Sequence, residues 1–142
     1  MILFDTGPIV AAAASNDAHY HPCADLLTSL RMTGERLLLP ATVAAEVGYL
    51  LSERVSPAVE SAFLRGVADG DFDPVDLTAS DYERMAELTA RYDDLPLGTT
   101  DASVIALAER LDITEVATLD RRHFTTVRPR HVESLTLLPE RI

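Results

Sequence analysis

The chain of 142 residues contains no lysine, a single cysteine and no long hydrophobic run. One cysteine, Cys23, excludes an internal disulfide and any zinc site built on several thiolates, so its expected role is small-residue packing. The apolar stretch at the start, Met1–Phe4, is too short to cross a bilayer and lacks the basic flank of a secretion signal. The expectation is a cytoplasmic protein with no membrane attachment. Internal repeats, low-complexity tracts and linkers are also missing. What remains is 47% hydrophobic and 25% charged. That composition suits one globular domain over residues 1–142 with a sizeable core and leaves no room for a second.

Positive charge is scarce as well. The formal net charge is −11, which argues against binding nucleic acid through a generally basic surface. The charge is unevenly placed, however. Residues 69–94 hold nine acids and two arginines, whereas RRHFTTVRPRH, residues 121–131, holds four arginines, two histidines and no acid. All twelve basic residues are arginine, whose planar fork grips phosphate or carboxylate through two hydrogen bonds. The basic segment suits an anionic substrate or an acidic partner, and the sequence alone does not separate the two.

Apolar periodicity alternates between strand and helix. Residues 1–4 read as a short buried strand, and Gly7-Pro8 leads a helix through Ala14. Ala24, Leu26, Leu27 and Leu30 place a helix over 20–32, ended by Gly34 before a strand at 36–39. Pro40 opens a helix to about Arg54, Pro57 another to about Asp69, and 72–75 reads as a short strand. Thr78 or Ser80 caps a helix running to Tyr92. Thr99–Leu111 is a helix, Val116–Leu119 a strand, and 120–123 a turn. The alternation predicts an α/β fold: a parallel sheet with helices on both faces, binding ligands at the carboxyl ends of its strands.

Four acids resist a purely structural reading. Asp5 and Asp120 both follow strands and point to the ligand edge, although either also suits a helix or turn cap. Asp101 falls on the apolar stripe of its helix, with Val104, Ile105, Leu107, Ala108 and Leu111. A first-turn carboxylate is favoured there by the helix dipole, but the dipole does not explain why it faces inward. Glu46 sits at the edge of the stripe made by Val43, Val47, Leu50 and Leu51, where an ordinary surface glutamate is the simpler reading. If the four meet, each pair of unit charges about 4 Å apart repels by ~4 kcal/mol at an effective dielectric near 20. Protonation or arginine would relieve that repulsion, and a divalent cation held by oxygen ligands is the usual solution.

These residues carry a resemblance. Phe4-Asp5-Thr6, Pro40-x-x-Val43-x-x-Glu46-Val47, Leu95-Pro96-Leu97-Gly98-x-x-Asp101-Ala102 and Ala117-Thr118-Leu119-Asp120-Arg121-Arg122-His123-Phe124 resemble PIN domains, and in particular the VapC ribonuclease toxins. The likeness spans about residues 1–129. It implies a single PIN-like domain and a metal-dependent endoribonuclease hydrolysing RNA by metal-activated water. Asp5 and Asp101 would be the principal ligands for Mg²⁺ or Mn²⁺, with Glu46 and Asp120 completing the acidic catalytic pocket. Thr6 would orient a ligand or water, and Arg121 and Arg122 would hold phosphates or pair with a neighbouring acid. His123 is expected to pack or cap, and His19 and His21 to be solvated. The resemblance also implies a small VapB-like antitoxin whose tail lies in the groove, and a homodimer. One departure is Gly7, where the family more often has serine.

Two rivals remain at this level. A phosphoryl-transfer enzyme of the same class fits less well: haloacid-dehalogenase types want a second aspartate where Gly7 stands, and receiver domains want a lysine. A non-catalytic PIN scaffold binding RNA or protein is opposed by the intact acidic quartet.

Overall fold

The structure, a computed structural model, describes residues 1–142. At its centre lies β1 (Ile2–Phe4), whose three apolar residues are all buried. A strand this short and uniformly apolar is stable only with neighbours on both edges and cover on both faces. Those neighbours are β2 (Leu37–Pro40) and β4 (Glu115–Ala117), with β3 (Asp73–Val75) and β5 (Thr136–Leu138) outside them. The order is β3-β2-β1-β4-β5, and every pair is parallel. Seven helices surround the sheet: α1 (Thr6–Ala13), α2 (Tyr20–Met32), α3 (Ala41–Arg54), α4 (Pro57–Ala68), α5 (Ala79–Arg91), α6 (Thr99–Leu111) and α7 (Arg121–Thr126). The expected α/β class and parallel sheet are therefore observed. No helix is long and apolar enough to cross a membrane.

Local chemistry accounts for several helix boundaries. Ser56 accepts a hydrogen bond from the Val59 N–H at the start of α4. Thr78 and Asp81 form a reciprocal capping box at the start of α5. Gly34, with φ 74°, supplies the left-handed turn after α2. α5 and α6 run antiparallel and are tied by Arg84, which donates to both oxygens of Glu109 at 2.7 and 3.0 Å, and by Arg110 on Asp81. Cys23 is a buried free thiol, as its solitary occurrence predicts.

Element ends differ from the sequence reading by a residue or two, and some differences go further. Pro40 both closes β2 in extended backbone and stands at the N-cap of α3, whose first helical residue is Ala41. The fourth strand begins and ends earlier than expected, at Glu115–Ala117. Residues 120–123 are not an open turn: Asp120 caps α7 by accepting from the His123 N–H. β5 is not expected from the sequence, because three residues carry no readable period. It exists through pairing with β4, Val116 opposite Leu137.

Sheet order fixes where chemistry can happen. β2 and β3 lie to one side of β1, and β4 and β5 to the other, so the connections diverge at the β1–β4 seam. Parallel sheets open a crevice at such a point, at the carboxyl ends of the strands. Register places Leu3 opposite Val116 and Phe4 opposite Ala117, so Asp5 and Thr118 emerge side by side.

Candidate active site

Asp5 stands at the capping position of α1, yet its carboxylate makes no capping bond to that helix. Its Oδ2 instead accepts a 2.7 Å bond from the Thr118 hydroxyl, whose oxygen accepts the Asp120 N–H at 2.9 Å. One buried threonine thus links the acids that follow β1 and β4. Asp5 is only 5% exposed. Burial, then the negative charge of Asp101, push its carboxyl from 3.8 up to about 6, against the opposing Thr118 bond.

Asp101 enters from the first turn of α6. Burial raises its pKa first, and the charges of Asp120 and Glu46 add to that rise, while a hydrogen bond from His123 works against it. His123 Nδ1 lies 2.5 Å from Asp101 Oδ2 and 2.8 Å from Asp120 Oδ2. Two carboxylates on one ring nitrogen are satisfied when that nitrogen carries the hydrogen. Asp120 divides its work: Oδ1 caps α7 and Oδ2 faces His123.

Glu46 comes from α3 and is aligned by α6, because the Thr100 hydroxyl donates to its Oε2 at 2.8 Å. A second tie, Thr42 to Ser103 at 2.6 Å, holds the same two helices together. Asp5, Thr6, Glu46, Arg54 and Asp120 line one hollow of about 460 Å³, closed at its sides by Gly7, Leu50 and Leu119. A Cβ on Gly7 would lie 3.2 Å from the Cβ of Leu119, so glycine lets α1 start close against the β4–α7 connection. Two overlapping groups result, sharing Asp120: the hollow, and the trio of Asp101, Asp120 and His123.

The donor set fits a hard divalent cation. One ligand atom each from Asp101, Asp120 and His123 lies within 4.8 Å of the others. Thr6 Oγ1, in the wall of the hollow, is buried with no hydrogen-bond partner, and a buried hydroxyl left unpaired costs about 1–3 kcal/mol. Carboxylates and an unpaired hydroxyl are oxygen donors of the type Mg²⁺ or Mn²⁺ takes, and imidazole suits transition ions.

All four acids of the sequence reading meet at this edge. Thr6 is there too. Arg121 and Arg122 do not line the hollow: the Arg121 guanidinium donates to the Pro139 carbonyl, and Arg122 is exposed on α7. Sequence reasoning misses three participants. It assigns His123 to packing or capping, but the ring is held by two acids. Arg54 lies two turns after Glu46 on α3, a spacing that is there to be read. Thr118 belongs to the Ala-Thr-Leu-Asp segment, where the sequence gives it no role. His19 and His21 take no part in the acidic cluster.

Comparison with known proteins agrees with this geometry. The profile of the PIN domain family matches residues 2–128. The chain is 31% identical over 141 residues to ribonuclease VapC26 of Mycobacterium tuberculosis (strain ATCC 25618 / H37Rv), covering 97% of this chain and all of that one. Solved structures share the fold at lower identity. Mycobacterium tuberculosis VapC20, a sarcin-ricin loop cleaving toxin, superposes with a TM-score of 0.78 at 19% identity, covering 94% of this chain and 99% of that one. VapBC2 from Rickettsia felis, solved on promoter DNA, gives 0.67 at 18%, covering 96% and 97%. FitAcB from Neisseria gonorrhoeae gives 0.63 at 19%, covering 96% of each. With a family match over most of its length, a full-length relative and the acidic edge in place, this chain belongs to the PIN domain family.

Proposed function

We propose that the chain is a metal-dependent endoribonuclease toxin of the VapC kind, which hydrolyses RNA phosphodiester bonds and is neutralised by a small VapB-like antitoxin. The observation that carries this reading is the convergence of Asp5, Glu46, Asp101 and Asp120 at the β1–β4 seam. A fold accepts such repulsion where a cation is to be held. The full-length relative named a ribonuclease supports the activity, and the VapBC2 neighbour supports an antitoxin partner.

Asp5, Asp101 and Asp120 would hold the ion, with His123 beside them. Mg²⁺ or Mn²⁺ bound there would supply a polarised water and positive charge near the phosphate oxygens. The remaining work belongs to the chain. Thr118 fixes the Asp5 carboxylate, and Thr100 fixes Glu46 facing the hollow, where it orients the attacking water. His123 keeps Asp101 and Asp120 aligned. Arg54, the cation in the wall of the hollow, grips the phosphate next to the cut. The functional unit is residues 1–142, including β5, which borders the β4 side of the seam. A homodimer is the proposed assembly, with exposed Tyr49 on α3 and Leu64 on α4 as candidates for the shared face.

The test is cleavage of total RNA by antitoxin-free protein with Mg²⁺ or Mn²⁺, alongside EDTA, with the new ends mapped by sequencing. Discrete cuts that need metal are expected. Folded protein that leaves RNA intact with either ion would overturn the reading. Arg54→Ala is expected to raise KM about tenfold, more so at higher salt, with a smaller change in kcat. Steady-state kinetics on the mapped substrate read both, and an unchanged KM would remove Arg54 from the phosphate site.

A further inference from the structure

A second charged feature lies outside the acidic edge. Arg84, Arg91, Arg128 and Arg130 line a surface hollow of about 680 Å³, with Glu87 as its only acid. A third of the chain's arginines thus gather in one place on a molecule of net charge −11. Their roles differ. Arg84 is committed to Glu109 and Glu87, and Arg130 to Glu87. Arg91 and Arg128 are exposed and pair with no carboxylate. The Arg128 backbone is held, its N–H donating to the Tyr92 hydroxyl, so the base of this side chain is fixed beside the end of α5.

Topology relates this hollow to the site. In the α5–α6 hairpin, Arg84 faces Glu109 and Asp81 faces Arg110. Continuing that antiparallel register brings Arg91 level with the first turn of α6, where Asp101 stands. The hollow therefore runs along α5 beside residues 128–130, and its Arg91 end lies level with the first turn of α6. Arg122, exposed on α7, stands on the element that also carries His123. The Arg130 backbone is held at Glu109 and the Arg128 backbone at Tyr92, so the arginine-bearing segment runs from the level of Glu109 on α6 to the end of α5.

We infer that this arginine-lined hollow is a docking track for the phosphodiester backbone of single-stranded RNA, away from the bond that is cut. The inference rests on the ribonuclease reading and extends it by naming where the rest of the substrate lies. Phosphates are separated along a strand, and a row of forked donors on a fixed surface suits that spacing better than it suits one carboxylate. An acidic enzyme also needs a local source of attraction, since its overall field repels a polyanion. Unpaired arginines provide it without a generally basic surface.

The test is fluorescence anisotropy with fluorescein-labelled oligouridylate in EDTA, where no cutting occurs and the acidic edge contributes only repulsion. Wild type is compared with Arg91→Ala/Arg128→Ala and with a charge-matched control, Arg65→Ala/Arg141→Ala. The first pair is expected to weaken binding about tenfold and to lower the slope of log affinity against log salt by about 1.4, two single-strand phosphate contacts. The control is expected to leave both unchanged. Equal losses from the two pairs, or none, would overturn the track. So would tighter binding of polyglutamate than of oligouridylate at Arg91 and Arg128, which would mark a site for an acidic protein segment. The readout needs no catalysis, so it stands or falls separately from the nuclease reading.

Discussion

Asp5→Asn is expected to make the metal-free protein more stable while abolishing its RNA cleavage. The carboxyl is held at about 6 instead of its ordinary 3.8, so ionising it in the folded state opposes folding by about 3 kcal/mol. Asparagine keeps an oxygen to accept the Thr118 hydroxyl and removes the charge. The gain at neutral pH is up to about 3 kcal/mol, or roughly 10 °C in Tm for a chain of this size. The sign with pH follows from the direction of the shift. Between about pH 4 and pH 6 the folded chain still holds a proton that the unfolded chain has released. The Asp5 contribution is therefore full below about pH 4, is lost as pH rises, and is gone above about pH 6. Asp81 and Glu109 act in the opposite sense. Burial works to raise both, but hydrogen bonds from Arg110 to Asp81 and from Arg84 to Glu109 bring them below their ordinary values. Their stabilisation is present at neutral pH and is lost on acidification. Calorimetry of both proteins in EDTA across this range checks the prediction. A variant less stable than wild type at pH 7 would show that the buried charge is compensated within the chain.

Asp101→Asn is expected to reduce metal-dependent cleavage by about 10²- to 10³-fold, the range for removing one preorganised electrostatic group from an active site. The same change is expected to weaken Mn²⁺ binding in isothermal titration, a readout that needs no substrate. His123→Asn separates the two roles of this corner. The imidazole bond holds the Asp101 pKa down against burial. Without it the carboxyl titrates higher, so activity falls less than in Asp101→Asn and its acid limb moves to higher pH. Activity of Asp101→Asn within about twofold of wild type would remove Asp101 from the chemistry. A pH profile unchanged by His123→Asn would reduce the histidine to packing.

The stability and activity effects point in opposite directions for one reason. Asp5, with Asp101 against it, is placed where a carboxylate is least welcome, and the Thr118 and Thr100 hydroxyls hold two of the acids there. Structural acids in the same chain look different: Asp81 and Glu109 each have an arginine and a lowered pKa. The contrast separates carboxylates neutralised within the fold from those that the fold leaves without a cationic side chain strong enough to offset their burial, the pattern expected of the proposed metal site.

Most elements are legible because their signals are local. Leucine spacing places α2, proline and serine or threonine caps open α4 and α5, and Asp101 stands out by facing inward on an apolar stripe. Sequence order also marks Asp5 as a residue following a buried strand. The sequence does not choose between capping and ligation for Asp5, because both readings put an aspartate before a helix. Pairing of β1 with β4 sets Thr118 beside Asp5 and leaves α1 uncapped by that side chain, which removes the capping reading and leaves the proposed ligand role open to test. Asp120 does cap, through one oxygen, while its other oxygen faces His123. β5 is invisible because three residues hold no period and the strand exists only by pairing. His123 and Arg54 are visible as residues but not as neighbours of the acids, since their positions depend on how α7 leaves β4 and how α3 crosses α6. Chain chemistry by itself determined the alternation of strands and helices and the supply of acids. The tertiary structure decided which acids share a field, because electrostatic coupling depends on distance and burial, and neither is a property of sequence order.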